Sequence, residues 1–240
     1  MIVNNDKKDE IQAEGKWMFD ENVAEVFSDM LSRSIPDYET MRDLTFRMAR
    51  KFIRPFSNVL DIGCSTGLSS QSLIECEEAK KVDFTLVDVS APMLARCRER
   101  YKDNVRVDVC EWDIKDGCPV QRCSVVLSCL TLQFVPIEYR QSIVSSIYDS
   151  LQKGGAFLLV EKVLGSSNVI DNAMVEEYYN VKKENAYTEE QILSKRKSLA
   201  GQLVPLTLEW NVSLLRDAGF TWVDTYWRYL NFCGILAVKK

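Results

Sequence analysis

The chain has 240 residues, 46% of them apolar and 27% charged, which suits one soluble fold with a sizeable core rather than two large ones. A formal charge of −5 speaks against a nucleic-acid partner, and no apolar run is long enough to span a membrane. The absence of histidine excludes Ser-His and Cys-His nucleophile pairs and an imidazole base, and the eight scattered cysteines contain no Cys-x-x-Cys pair, so no metal centre is expected.

Residues 1–16 are polar and lack a signal-peptide pattern, predicting a flexible tail on a cytoplasmic protein; residues 17–240 are expected to form a single domain. From Trp17, the apolar positions Phe19, Val23, Val26, Phe27, Met30 and Leu31 recur at three and four, predicting an amphipathic helix. Ser34-Ile-Pro-Asp-Tyr38 breaks it, and a second helix over 39–52 carries Met41, Leu44, Met48 and Phe52 on one stripe. Together the helices of 17–54 are expected to lie over whatever site the following fold provides.

Val59-Leu60-Asp61-Ile62 then predicts a buried strand running into the turn Gly63-Cys64-Ser65-Thr66-Gly67, with helical spacing from Leu68 to Cys76. Gly63 and Gly67 permit positive φ and let a ligand lie against bare backbone, and a helix start after such a turn offers free N–H groups. The pattern is Asp-x-Gly-x-x-x-Gly and not the dinucleotide Gly-x-Gly-x-x-Gly, because Ser65 stands where a glycine would admit a pyrophosphate. An acid at position 61 suits an ammonium group instead. Val82 to Val87 predicts the next strand, and Asp88, about twenty residues beyond the turn, is placed to take both hydroxyls of a ribose. The two features together suggest an adenosine ligand without a pyrophosphate, which S-adenosylmethionine fits best, against the plainer reading of a generic tight turn with Asp88 capping the next helix.

Ser90 caps the next helix, with Pro92 in its first turn. Val105 to Cys110 predicts a third strand, Glu111-Trp112-Asp113-Ile114 its exit loop, and Ser124 to Ser128 a fourth strand, ending near Cys129 and Thr131-Leu-Gln-Phe134. A helix over 138–151 stopped by Lys153-Gly154-Gly155, a strand over 156–160, a mostly helical insertion over 166–205, a helix over 208–217 and paired strands over 221–228 and 232–239 complete the chain. Alternating strands and helices predict an α/β fold with a parallel sheet and a ligand site at the strands' carboxyl ends. The basic runs Lys182-Lys183 and Lys195-Arg196-Lys197 read as solvated helix faces, and Tyr178, Tyr179 and Trp210 as core or interface aromatics. Without a histidine partner Cys64 reads as a small filler.

This pattern resembles class I S-adenosylmethionine-dependent methyltransferases, with a Rossmann-like, seven-stranded, mostly parallel sheet and a terminal β-hairpin. Within that superfamily it is similar to the carboxy-S-adenosyl-L-methionine synthases. Four stretches carry this: Phe19-Asp-Glu-Asn-Val-Ala-Glu-Val-Phe with Arg33-Ser-Ile-Pro-Asp-Tyr38; Asp61-Ile-Gly-Cys-Ser; Thr131-Leu-Gln-Phe134; and Asn185-Ala-Tyr-Thr with Lys195-Arg196. The first and last lie outside the generic methyltransferase fold.

The resemblance implies conversion of S-adenosylmethionine and prephenate to the carboxylated sulfonium and phenylpyruvate in a tRNA-modification pathway, by a homodimer. Prephenate, in losing carbon dioxide and hydroxide, would supply both the carboxyl group and the base. It further implies that Tyr38, Gly63, Cys64, Ser65, Asp88, Asp113 and Ile114 bind cofactor and that Arg196 clamps the added carboxylate, as a planar fork can. Two positions depart from the family: Cys129 stands where an asparagine is usual, and Val89 follows Asp88 in place of a polar residue. Two other readings stay open, a conventional methyltransferase acting on a small carboxylate-bearing or aromatic metabolite, and a non-catalytic S-adenosylmethionine-binding subunit.

Overall fold

The apolar run around Leu60 forms the strand its composition demands. In the computed structural model, which describes residues 8–11 and 15–240, β1 (Asn58–Ile62) lies mid-sheet, flanked by β2 (Asp83–Asp88) and β4 (Cys123–Cys129). With β3 (Val107–Glu111), β5 (Leu151–Leu164), β7 (Trp222–Tyr229) and β8 (Phe232–Val238), the order is β3-β2-β1-β4-β5-β8-β7. β1 to β5 pair in parallel, and β8 runs antiparallel to β5 and β7 as the expected hairpin. Two residues, β6 (Leu206–Thr207), add an eighth strand beside Val163–Leu164.

Side chains of a strand alternate between faces, and both faces of the sheet are covered. Leu60, Ile62, Val126 and Phe157 pack on one face under Ile143, Val144 and Ile147 of α5 (Ile137–Ser150) and Leu215 of α8 (Leu208–Asp217). Val59, Phe84, Leu86 and Leu127 pack on the other against Ala49 of α2 (Tyr38–Ala49), Leu73 of α3 (Gln71–Glu75) and Leu94 of α4 (Ala91–Tyr101). Side chains this size, fully buried, each contribute about 1.5–3 kcal/mol.

α1 (Glu21–Ser34) is capped by Asp20, whose side chain accepts from the Val23 amide. The insertion folds as α6 (Asn168–Glu184) and α7 (Glu189–Leu199), the latter opened by a reciprocal Thr188–Gln191 capping box. No helix among the described residues is long and apolar enough to cross a membrane.

Three expectations are corrected. The helix expected over Leu68–Cys76 shrinks to the five residues of α3, because Ser69 and Ser70 turn their hydroxyls to Asp61 and the Leu68 carbonyl accepts from Arg42. β5 extends well past 156–160, since β8 pairs with it as far as Lys162. Residues 1–7 and 12–14 of the expected flexible tail lie outside the described residues, but Asp9 within it is only 2% exposed. Its carboxylate takes the Tyr187 hydroxyl and the Lys195 ammonium, and its carbonyl accepts from Arg33.

Candidate active site

Parallel strands that diverge at a central strand leave a crevice at their carboxyl ends. Here the chain reverses its winding at β1, between β2 and β4, and a cavity of about 750 Å³ opens there, a volume suited to a small-molecule ligand. It reaches from the ends of β2 and β3, at Asp88 and Ile114, to the ends of β5 and β8, at Lys162 and Phe232. α1, α2, α6 and α7 contribute the remaining walls, which accounts for both segments outside the generic fold.

The glycine turn is built differently from the expected cradle of free donors. The amides of Gly63 and Cys64 donate to the Val87 carbonyl, that of Ser65 to Asp88 Oδ2 at 2.9 Å, and that of Gly67 to the Cys64 carbonyl. Four N–H groups are thus spent inside the protein, which suits a site that is not for phosphate. The two glycines, at φ +66° and +80°, are demanded by protein neighbours: a Cβ at 63 would meet Thr131 at 2.3 Å, and one at 67 would meet Tyr101 at 2.6 Å. Ser65 holds a left-handed φ of +49° without glycine's freedom, a strained position facing the cavity.

What the turn does present is acceptor capacity. Asp61 is fully buried; its Oδ2 accepts from Ser69 and Ser70 at 3.1 and 2.6 Å, while its Oδ1 has no hydrogen-bond partner. Burial pushes this carboxyl up to about 6 in spite of the two serines, and the nearby Asp88 adds to the rise. An orphaned buried carboxylate oxygen beneath a cavity wall is the group an ammonium would satisfy. Asp61 does not itself line the cavity, whereas Ser69, which donates to its Oδ2, does. Asp88 lines the cavity directly; it accepts from the Ser65 and Ser90 amides and is likewise raised by burial. Each of its oxygens retains a lone pair for a hydroxyl donor.

The other expected contacts are distributed around the same space. Tyr38, Cys64, Val89, Asp113, Ile114 and Cys129 all line it. Val89 is 63% exposed and offers only an apolar edge. Asp113 is held by the Lys115 amide and ammonium, both at 3.0 Å. The Cys64 thiol is kept protonated by its hydrogen bond with Cys97 and by burial, and burial also raises Cys129, so neither is primed as a nucleophile.

Thr131-Leu-Gln-Phe134 serves as a brace. Buried Glu161 accepts from the Leu132 and Gln133 amides at 2.9 and 2.8 Å, Gln133 Oε1 accepts from the Lys162 amide, and Thr131 Oγ1 donates to the Ile62 carbonyl. The exit of β4 is thereby tied to both β1 and β5. Phe134 meets Phe19 edge-on at 5.2 Å, which joins the brace to the first family stretch.

Arg196 is placed otherwise than expected. Helical periodicity turns Ile192, Lys195, Ser198 and Leu199 of α7 inward and leaves Arg196 and Lys197 exposed, outside the cavity. The two basic runs are also not wholly solvated faces, because Lys182 and Lys195 line the cavity together with Lys162, and Lys182 is only 6% exposed. These lysines lie on aromatic rings: Lys162 Nζ is 4.6 Å from the centre of Tyr178, Lys182 Nζ 5.2 Å from the same ring, and Lys195 Nζ 4.9 Å from Trp17. The signal for Lys182 was its spacing, four residues after Tyr178 on one helix face. Of the other aromatics, Tyr178 is buried against Phe232 and lines the cavity, whereas Trp210 is exposed.

Known proteins share both fold and sequence with this chain. A family of methyltransferase domains matches residues 59–155. Solved structures with the same fold include a putative O-methyltransferase from Nostoc punctiforme (TM-score 0.64, 15% identity, 91% of this chain) and human N-acetylserotonin methyltransferase in complex with SAM (TM-score 0.61, 15% identity, 91% of this chain). The chain spans 60% and 55% of those two structures' lengths, respectively. At much higher identity are carboxy-S-adenosyl-L-methionine synthases from Methylococcus capsulatus, 40% identical over 92% of this chain and 93% of that protein, and from Wolinella succinogenes, 38% identical over 93% and 94%. With these identities over nearly the full length, and the class I methyltransferase fold, the chain belongs to the carboxy-S-adenosyl-L-methionine synthase family.

Proposed function

We propose that this protein makes carboxy-S-adenosyl-L-methionine and phenylpyruvate from S-adenosylmethionine and prephenate. One observation carries the reading. A single cavity joins an acceptor-rich turn, with Asp61 Oδ1 unpartnered beneath it, to a wall of lysines and aromatic rings. The first part matches an ammonium-bearing nucleoside, and the second matches an anionic ring compound.

When bound, S-adenosylmethionine supplies an activated S-methyl carbon, while prephenate supplies the carboxyl group and, as hydroxide, the base. The protein's residues bind, orient and exclude water. Asp61, set by Ser69 and Ser70, holds the ammonium; Asp88 takes ribose hydroxyls; Ile114 gives an apolar wall to the base. With no histidine in the chain, a substrate-derived base is consistent with the residues available. Exposed Val169, Ile170 and Leu193 on α6 and α7 support a homodimer as part of the same reading, in the cytoplasm, with a tRNA-modifying enzyme as consumer of the product.

The test is a spectrophotometric assay of phenylpyruvate released from prephenate. Release that requires S-adenosylmethionine and scales with enzyme supports the proposal; a rate equal to that of spontaneous prephenate breakdown contradicts it. A methyltransferase acting on a carboxylate-bearing ring would instead accumulate S-adenosylhomocysteine.

A further inference from the structure

We propose that Lys182, with Lys162 beside it, is the anchor for the carboxylate that the ring substrate keeps, the 2-oxo acid group still present in the product. The assignment deepens the synthase reading and rests on it for the identity of the substrate.

Lys182 reaches the cavity from α6 and Lys162 from the end of β5, and Tyr178 lies beneath both ammonium groups. Among the described residues neither ammonium makes a hydrogen bond or an ion pair; their close contacts are aromatic faces, Tyr178 and Phe232 for Lys162, Tyr178 and Tyr187 for Lys182, while the carboxylates of Asp171 and Asp9 act on Lys162 and Lys182 respectively only from beyond ion-pair distance. Lys195 differs, because its ammonium is neutralised by Asp9 Oδ2 at 3.1 Å. Holding two like charges side by side, Lys182 buried and Lys162 half-buried, with no carboxylate in ion-pair contact is costly and persists where a ligand supplies the charge. Burial and then the charges of Lys195 and Lys162 draw Lys182 down to about 7 against a partial offset from Asp9, and burial with the Arg196 charge draws Lys162 to about 8 against a partial offset from Asp171. The aromatic floor suits a six-membered ring attached to that anion.

Which carboxylate goes there follows from the chemistry. The ring carboxylate must depart as carbon dioxide, and holding it in charge-assisted bonds would stabilise the ground state and slow its loss. The 2-oxo acid carboxylate is unchanged by the reaction, so binding it strongly orients the ring without that penalty. The lysine pair therefore recognises substrate and product alike, and phenylpyruvate is the probe that isolates it.

Calorimetric titration of phenylpyruvate into the protein saturated with S-adenosylmethionine tests the assignment, using wild type, Lys182→Met, Lys182→Arg and the exposed control Lys183→Met. The expected result is a Kd raised at least about tenfold in Lys182→Met, partial recovery in Lys182→Arg, no change in Lys183→Met, and S-adenosylmethionine affinity unaltered throughout. Phenylacetone, which keeps ring and ketone but lacks the carboxylate, should bind wild type and Lys182→Met equally weakly. Wild-type affinity for phenylpyruvate in Lys182→Met, a parallel loss of both ligands, or no binding to wild type would overturn the assignment. Failure of the synthase reading looks different: phenylpyruvate binding would still depend on Lys182 while prephenate underwent no carboxyl transfer.

Discussion

Thr131 occupies the space that a side chain at Gly63 would need: a Cβ there would lie 2.3 Å from both Thr131 Cγ2 and Oγ1. The turn after β1 and the exit from β4 are thus interlocked through one residue pair, and Thr131 Oγ1 also donates to the Ile62 carbonyl at 3.1 Å. Gly63→Ala combines this clash with a residue at φ +66° and should destabilise by about 2–4 kcal/mol. Adding Thr131→Ala should restore part of that loss in a double-mutant cycle followed by urea unfolding. Additive effects would show that the two segments are not interlocked.

Asp61 sets a second expectation. Its ionised form is the one that meets an ammonium, so S-adenosylmethionine affinity should weaken as pH falls through about 6, and Asp61→Asn should raise the Kd at least about tenfold. For stability the sign is opposite. A carboxyl raised from 3.8 to about 6 favours the folded state most below 3.8, and that contribution is lost as pH rises through 6. Ligand-free Asp61→Asn should therefore melt above wild type at pH 8 while binding ligand worse, which calorimetry and thermal melts can read on the same samples.

Lys182 is shifted the other way. Its amine, lowered from 10.5 to about 7, binds fewer protons folded than unfolded between those values, so stability rises with pH across that window and is poorest below 7. The groups acting on it are the cations of Lys195 and Lys162, the Asp9 carboxylate and the rings of Tyr178 and Tyr187. Lys182→Met should raise the ligand-free Tm at pH 6.5, an advantage that shrinks towards pH 10. A variant less stable than wild type at every pH would contradict this account of a buried cation without an ion-pair partner.

Asp9 ties the N-terminal segment to the cavity wall. Asp9→Ala removes the carboxylate shared by Lys195 and Tyr187 and leaves Lys195 only 11% exposed without its partner. Breaking a buried pair on one side costs about 3–5 kcal/mol, so the Tm should fall by several degrees. Lys195→Met in the same background should recover part of it. An unchanged Tm would mean that Asp9 contributes no net stability.

Much of this was legible in the chain. Val59-Leu60, Phe84 and Val125 announce buried strands because each sits in an apolar run bounded by turn residues, and parallel topology follows from the helices between them. Spacing alone singled out Asp61, Gly63 and Asp88, of which Gly63 and Asp88 line the cavity and Asp61 lies buried behind Ser69. What was not legible depends on contacts distant in sequence. Nothing near Leu68 shows that Ser69 and Ser70 will be drawn to Asp61 and shorten α3, and nothing near Gly154 shows how far β8 will extend β5. Lys182 was hidden because an inward lysine and a solvated one look alike in a polar helix; only the tertiary placement of Tyr178, Tyr187 and Lys162 distinguishes them. The sequence likewise could not show that Lys195 takes the inward position on α7 while Arg196 stays outside the cavity wall.

The most direct test of the central claim is mass spectrometry of the small molecules released by denaturing the protein after incubation with S-adenosylmethionine and prephenate labelled with ¹³C in its ring carboxylate. The account predicts a sulfonium heavier than S-adenosylmethionine by one carboxyl group and carrying the label, with phenylpyruvate in equal amount. Recovery of only S-adenosylmethionine or S-adenosylhomocysteine, with the labelled prephenate intact, would contradict it.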